Sequence, residues 1–184
     1  YGGAPVTSNN DSASVIVPID RLAIAVTASL DPTCADGGAD LLTVLGGTTV
    51  YYCYQVTNGG DSDLTNVTVN DPAATVLGST GIPSGGTQLF VSLPTIATAD
   101  ISHAANAIGH DPWNFPVVSP VDLAAVDVVS PSLVVQKTVS LDGSCPGAEL
   151  AQTLGDQAVT YCYDVTNTGD TGVNGVLVTD GGGT

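Results

Sequence analysis

In 184 residues, 43% are hydrophobic and only 11% charged, with 22 Gly, 11 Pro and no Met; so many turn formers in an apolar chain favour short strands joined by tight turns. Two cations, Arg21 and Lys137, oppose 18 acidic residues for a formal net charge of -16, so a nucleic-acid or anionic-membrane surface would repel the protein. Every apolar run is broken by Asp, Pro, Asn or Gly before it reaches the roughly 18 residues of a membrane helix, which argues against membrane insertion of this segment.

In chain order, "SASVIVPI" (residues 12–19) alternates as a strand, with Val15 and Val17 on one face, and follows the sequon Asn10-Asp11-Ser12. "LAIAVTAS" is the next strand, ended by the turn signal Asp31-Pro32 ahead of Cys34. In "VYYCYQV" the period is two: Val50, Tyr52, Tyr54 and Val56 form a core face, and Tyr51, Cys53 and Gln55 the opposite one. Asn58-Gly59-Gly60 marks a turn, after which "NVTVND" puts Val67 and Val69 inward and Asn66, Thr68 and Asn70 outward. "TQLFVSLP" is a further strand behind Pro83-Ser84-Gly85-Gly86. The alanine-dense stretch 97–109 reads as a turn followed by a strand, and Asp111-Pro112 opens the loop "HDPWNFP". About seven strands per unit, separated by such turns, predict an all-β sandwich.

The chain then repeats itself. "TVYYCYQVTNGGDSDLTNVTVND" (residues 49–71) returns as "AVTYCYDVTNTGDTGVNGVLVTD" (residues 158–180), where Tyr161 and Tyr163 take the places of Tyr52 and Tyr54. Cys34 and Cys145 stand 111 positions apart, and Cys53 and Cys162 stand 109 apart, so the period is near 110 residues and one period is one domain. Upstream, "LAIAVTASLDPTC" matches "LVVQKTVSLDGSC", and residues 4–20 match 115–131. The expected organisation is a closing strand of a preceding repeat at 1–20, a complete repeat at 21–131 and the first part of another at 132–184. One cysteine pair per unit reads most simply as Cys34 with Cys53 and Cys145 with Cys162. Closing a loop of that length stabilises by roughly 3 kcal/mol in the chain-entropy picture, and recurring disulfides indicate an oxidising, extracellular setting.

These stretches carry a family resemblance. "VTNGGDSDLTNVTVND" resembles the strand-and-turn signature "Y-x-V-T-N-T-G" followed by "L-x-N-V-x-V-x-D" of the DUF11-type conserved repeat domains, and "ADISHAANAIG" and "PVVSPVDLAAVDVV" with "PSLVVQKTVS" are similar to their later segments. The resemblance implies immunoglobulin-like β-sandwiches in tandem, in large secreted or cell-surface proteins without a known catalytic role. Val26 stands where the family has a junction lysine, Asn174 and Gly175 interrupt the second "L-x-N-V", and the paired cysteines are an addition.

Candidate chemistry is sparse. His103 and His110 flank one strand with no nucleophile motif near them and read as surface or edge histidines, and no catalytic constellation can be assembled. Asp61 and Asp63 follow the asparagine turn, where solvation accounts for them and calcium would want roughly six to eight oxygens while the later copy keeps only Asp170; calcium at the repeat junctions, through Asp20, Asp31, Asp122 or Asp127, is the stronger metal candidate, since the net charge there would otherwise repel. Asn66-Val67-Thr68 and Asn10-Asp11-Ser12 are candidate glycosylation sequons. A lysine-based isopeptide crosslink is not expected, since Lys137 has Val26 as its counterpart. Two functions follow: a structural repeat of an extracellular fibre, filament, stalk or matrix, or an adhesion or carbohydrate-binding module using the loop around Trp113. As partners, copies of itself or neighbouring repeats head to tail are expected, a covalent array being favoured over subunits that exchange a strand, with Val15, Val17, Tyr161 and Tyr163 at the joint.

Overall fold

Val50, Tyr52, Tyr54 and Val56 recur at every second position of one strand, and all four are 0% exposed. The computed structural model describes residues 11, 13–15, 17–76 and 78–181, and among them all regular structure is strand, with no helix. The order is β1 (Leu22–Ser29), β2 (Leu41–Leu45), β3 (Thr48–Asn58), β4 (Leu64–Asn70), β5 (Thr80–Ile82), β6 (Thr87–Val91), β7 (Thr95–Ala97), β8 (Ile101–His110), β9 (Pro116–Val118), β10 (Asp122–Val129), β11 (Leu133–Ser140) and β12 (Thr160–Asn167).

One sheet runs β1-β3-β6 with β7 on the start of β3; the other runs β2-β10-β8-β4-β5 with β9 on β8. Their inner faces enclose a single core in which Val26, Tyr52, Tyr54 and Val56 of the first meet Leu64, Val67, Ala105, Ala107, Ala124 and Val126 of the second. This is the layering of a β-sandwich. All pairings are antiparallel except β10 with β2, which is parallel, and the crossing from first to second sheet is tied by the Asp122 carboxylate, which accepts a hydrogen bond from the Val26 amide at 2.7 Å.

Residues 22–129 hold ten strands rather than about seven, because β5, β7 and β9 are three-residue pieces too short to show a period. The expected turns fall where the sequence puts them, and 97–109 is a turn followed by a strand. On β4 the alternation slips: Leu64 and Val67, three apart, are both buried, with the register shifting between them. Asn66 absorbs the extra residue at a φ of 50°, a left-handed conformation that Asn tolerates better than most side chains.

The strand expected at 12–19 is not formed by the described residues of that segment, where Val15 and Val17 are 89% and 77% exposed. A strand needs a neighbour for its amides, and among the described residues no strand pairs with this segment. The later segment forms a separate two-stranded sheet, β11 with β12. Its register, Leu133↔Asn167 through Ser140↔Thr160, reproduces that of β1 and β3, Leu22↔Asn58 through Ser29↔Tyr51, position for position. The bridge Ala28↔Ala39 likewise has its counterpart in Val139↔Ala148. Among the described residues no second sheet covers this hairpin, and Tyr161 and Tyr163 are 53% and 38% exposed where Tyr52 and Tyr54 are buried.

Candidate functional site

The most unusual chemistry in the molecule is in the core of the sandwich. Tyr54 sits mid-β3, Asp71 directly after β4, and His103 on β8, so three strands aim them at one point. The Tyr54 hydroxyl donates to Asp71 Oδ2 at 2.7 Å, and His103 Nδ1 lies 2.9 Å from the same oxygen. The amides of Ala73 and Ala74 donate to Asp71 Oδ1 at 2.8 and 3.2 Å. Tyr52 stacks on the His103 ring with centroids 3.6 Å apart, and its own buried hydroxyl has no hydrogen-bond partner among the described residues.

Burial works to raise the Asp71 pKa, but the hydrogen bonds from Tyr54, His103 and Ala73, with the adjacent imidazole, outweigh it and hold the carboxyl below its ordinary value. Burial, then the Asp71 charge, pushes the Tyr52 phenol up to about 12. Tyr54 is pushed up for the same first reason, strengthened by its hydrogen bond to Asp71. The expectation of a surface or edge His103 is therefore corrected: it is 1% exposed. A carboxylate, an imidazole and two phenols thus stand together in a water-poor site, where their hydrogen bonds link β3, β4 and β8. With both Asp71 and His103 almost wholly buried, the arrangement ties strands rather than opening to a cleft. His110, at the far end of β8, is half-buried.

The paired cysteines are joined as expected, Cys34 to Cys53 and Cys145 to Cys162, the chemistry of an oxidising environment. Each bridge ties the loop after the first strand of its hairpin to the outer face of the partner strand. Beside the first, a cleft of 190 Å³ is bounded by Leu89 of β6; beside the second, where among the described residues no such strand lies along β12, the opening is 720 Å³ and includes Gln136, Glu149 and Asp164.

Trp113 and Phe115 are 62% and 68% exposed on a loop organised by Asp111, itself 6% exposed. One Asp111 oxygen accepts from the Trp113 amide at 2.9 Å and the Phe115 amide at 2.7 Å. Asn66 and Thr68 are both exposed, so the sequon can be reached from solvent; Asn10 lies outside the described residues. The acids considered for calcium are not gathered: Asp31 turns onto Thr33, Asp122 onto Val26 and Asp127 onto Thr43, while Asp20 is exposed. Among the described residues no group of three or more His, Cys, Asp or Glu could hold a metal ion. Asp63 does more than meet solvent, since it accepts from the Ser84 amide at 2.9 Å.

Sequence reasoning missed the Asp71–His103 pair because its members are 32 residues apart. One signal was available: Asp71 closes the repeated stretch, and its counterpart Asp180 is bonded by the counterpart tyrosine, Tyr163. Beside Asp180 stands Lys137, at 2.7 Å, in the position that Val26 holds in the first hairpin. No family model, no curated protein and no solved structure matches the chain.

Proposed function

We propose that the protein is structural: part of a tandem array of disulfide-stapled, immunoglobulin-like sandwiches with a period near 110 residues, forming an extracellular fibre, filament, stalk or matrix. The observation that carries this reading is the recurrence, 109 to 111 positions on, of one hairpin with the same register, the same bridge and the same Tyr–Asp bond. Repetition of a unit that spans a fixed length is how a chain builds distance. The sequence resemblance to the DUF11-type conserved repeat domains points the same way. The acidic surface, with a net charge of -16, would keep neighbouring fibres hydrated and apart. Immunogold labelling of intact source cells with an antibody to residues 21–131 tests it: gold along structures outside the cell is expected, and gold confined to the cell interior would overturn the reading.

A second reading rests on the Asp111-organised loop, which holds Trp113 and Phe115 out to solvent. Exposed aromatics on a rigid loop suit stacking against sugar rings or a protein anchor. A glycan array with the Trp113→Ala variant as control separates the two, because tryptophan-dependent binding would favour the adhesion module.

A further inference from the structure

The turn after β3 and the turn after β12 share a feature beyond their hairpins: each closes on the segment that enters its own first strand. At the first, the Gly59 amide donates to the Arg21 carbonyl at 2.8 Å and the Asp61 amide to the Ile19 carbonyl at 2.9 Å, while the Ile19 amide donates to Asp61 Oδ2 at 3.3 Å. At the second, the Thr168 and Gly169 amides donate to the Ser132 carbonyl at 2.9 and 3.1 Å, and the Ser130 amide donates to Asp170 Oδ1 at 2.7 Å. Two of these bonds fall at the same positions of the two copies: Gly59 to Arg21 answers Thr168 to Ser132, and Ile19 to Asp61 answers Ser130 to Asp170.

The turn is built to admit a chain. Asn58 donates from Nδ2 to the Ser62 carbonyl at 2.8 Å and accepts from the Gly60 amide at 3.1 Å; Asn167 does the same to Thr171 at 2.8 Å and from Gly169 at 3.0 Å. The glycine after it lets backbone meet backbone. A Cβ at Gly60 would stand 2.5 Å from the Ile19 carbonyl oxygen, and one at Gly169 would stand 2.4 Å from the Ser132 nitrogen, both inside contact distance.

At the second copy the gripped segment is the connector itself. β10 ends at Val129 and β11 begins at Leu133, so only residues 130–132 join the sandwich to the following hairpin, and Pro131 fixes one of their φ angles. No strand of the sandwich pairs with β11 or β12.

We propose that the Asn-x-Gly-Asp turn is a joint lock, a receptor for the extended connector, in which the glycine gives access and the aspartate fastens a connector amide, holding consecutive units in one fixed direction. The proposal rests on the tandem reading of the chain and adds what would make such an array stiff. A released connector of three residues would let its ends wander over about 10 Å; a locked one would not.

The test uses the full disulfide-bonded chain carrying spin labels, through an unnatural ketone amino acid, at exposed Gln88 on β6 and Asp164 on β12, with the distance distribution read by pulsed electron resonance. A narrow distribution is expected for the parent. Asp170→Ala and Gly169→Ala should each broaden it toward the width of a free connector, and Asp170→Asn, which keeps an acceptor oxygen, should restore a narrow one. An intact thiol-free state and unchanged far-ultraviolet dichroism distinguish a loosened joint from an unfolded hairpin. A parent already as broad as Asp170→Ala, or both disrupting variants as narrow as the parent, would overturn the lock. A narrow, lock-dependent joint in a protein never found outside the cell would instead remove the fibre and leave the lock standing.

Discussion

Asp71 is the residue on which most depends, because its carboxylate is placed inside the core with both oxygens in use. A hydrogen bond to a charged buried group contributes about 1.5–3 kcal/mol, so Tyr54→Phe should lose an amount in that range. Tyr52→Phe removes a buried hydroxyl that has no partner among the described residues and should be neutral or stabilising. Urea midpoints of the two variants decide it, and equal losses would contradict the network. Because the Asp71 pKa is lowered on folding, its contribution is fully present above the unfolded value, about 3.9, and is lost as pH falls through the folded value. Asp71→Asn should thus be weaker at neutral pH, with the gap to the parent closing below about pH 4. Unfolding free energies at pH 3 and pH 7 check this; a constant gap would rule it out. The core face of β3 was legible because alternation is local. His103 was not: whether a histidine on an alternating strand faces water or a carboxylate depends on the strand opposite, and here that is β4, far away in sequence.

At the scale of elements, each staple acts on its own sheet. Replacing Cys34 and Cys53 together by Ser should lower the stability of the sandwich by roughly 3 kcal/mol, from a closed loop of about 20 residues. The same change at Cys145 and Cys162 should leave the main unfolding transition nearly unmoved, since β11 and β12 pair only with each other. Equal effects on the urea transition would show the two sheets to be one cooperative unit. The β4 bulge makes a different demand. With φ at 50°, Asn66→Gly should cost little and Asn66→Val about 1–2 kcal/mol, the penalty of left-handed backbone for a side chain of that kind. If Val is tolerated as well as Gly, the bulge is not a constraint on this sequon. The long strands could be read from their period and the loops from Gly, Pro and Asn. The three-residue strands β5, β7 and β9 could not, because three positions carry no period and their pairing is decided by β3, β4 and β8. Val15 and Val17 show the converse: they alternate as a strand should, yet among the described residues of 12–19 no strand is formed.

For the whole molecule, the decisive contrast is between two nearly identical hairpins in different surroundings. Tyr52 and Tyr54 are 0% exposed beneath the second sheet, whereas Tyr161, Tyr163 and Val135 are 53%, 38% and 52% exposed. The likeness of the two hairpins was legible, since Tyr, Cys and Asn recur at fixed places, but the sequence could not say what holds residues 130–132, because the Ser130 amide is bound by a turn 40 residues further on. A two-stranded sheet is at best marginal in water without a third strand or a packed face, and a disulfide constrains the unfolded chain without supplying that face. Residues 21–131, produced alone under oxidising conditions, should therefore unfold cooperatively as a soluble monomer with one urea transition. Residues 132–184, produced the same way, should retain the Cys145–Cys162 bridge yet show no cooperative transition and poorly dispersed amide resonances, because Leu133, Val135, Tyr161 and Tyr163 have nothing to pack against. Fusing to that piece a segment patterned on residues 72–129, which supplies β5 to β10 in the sandwich, should restore a transition resembling that of 21–131. If the short piece folds cooperatively on its own, the hairpin is an independent domain and the repeat is not the folding unit; if the fused piece stays unfolded, the matching registers do not mark equivalent halves of one fold.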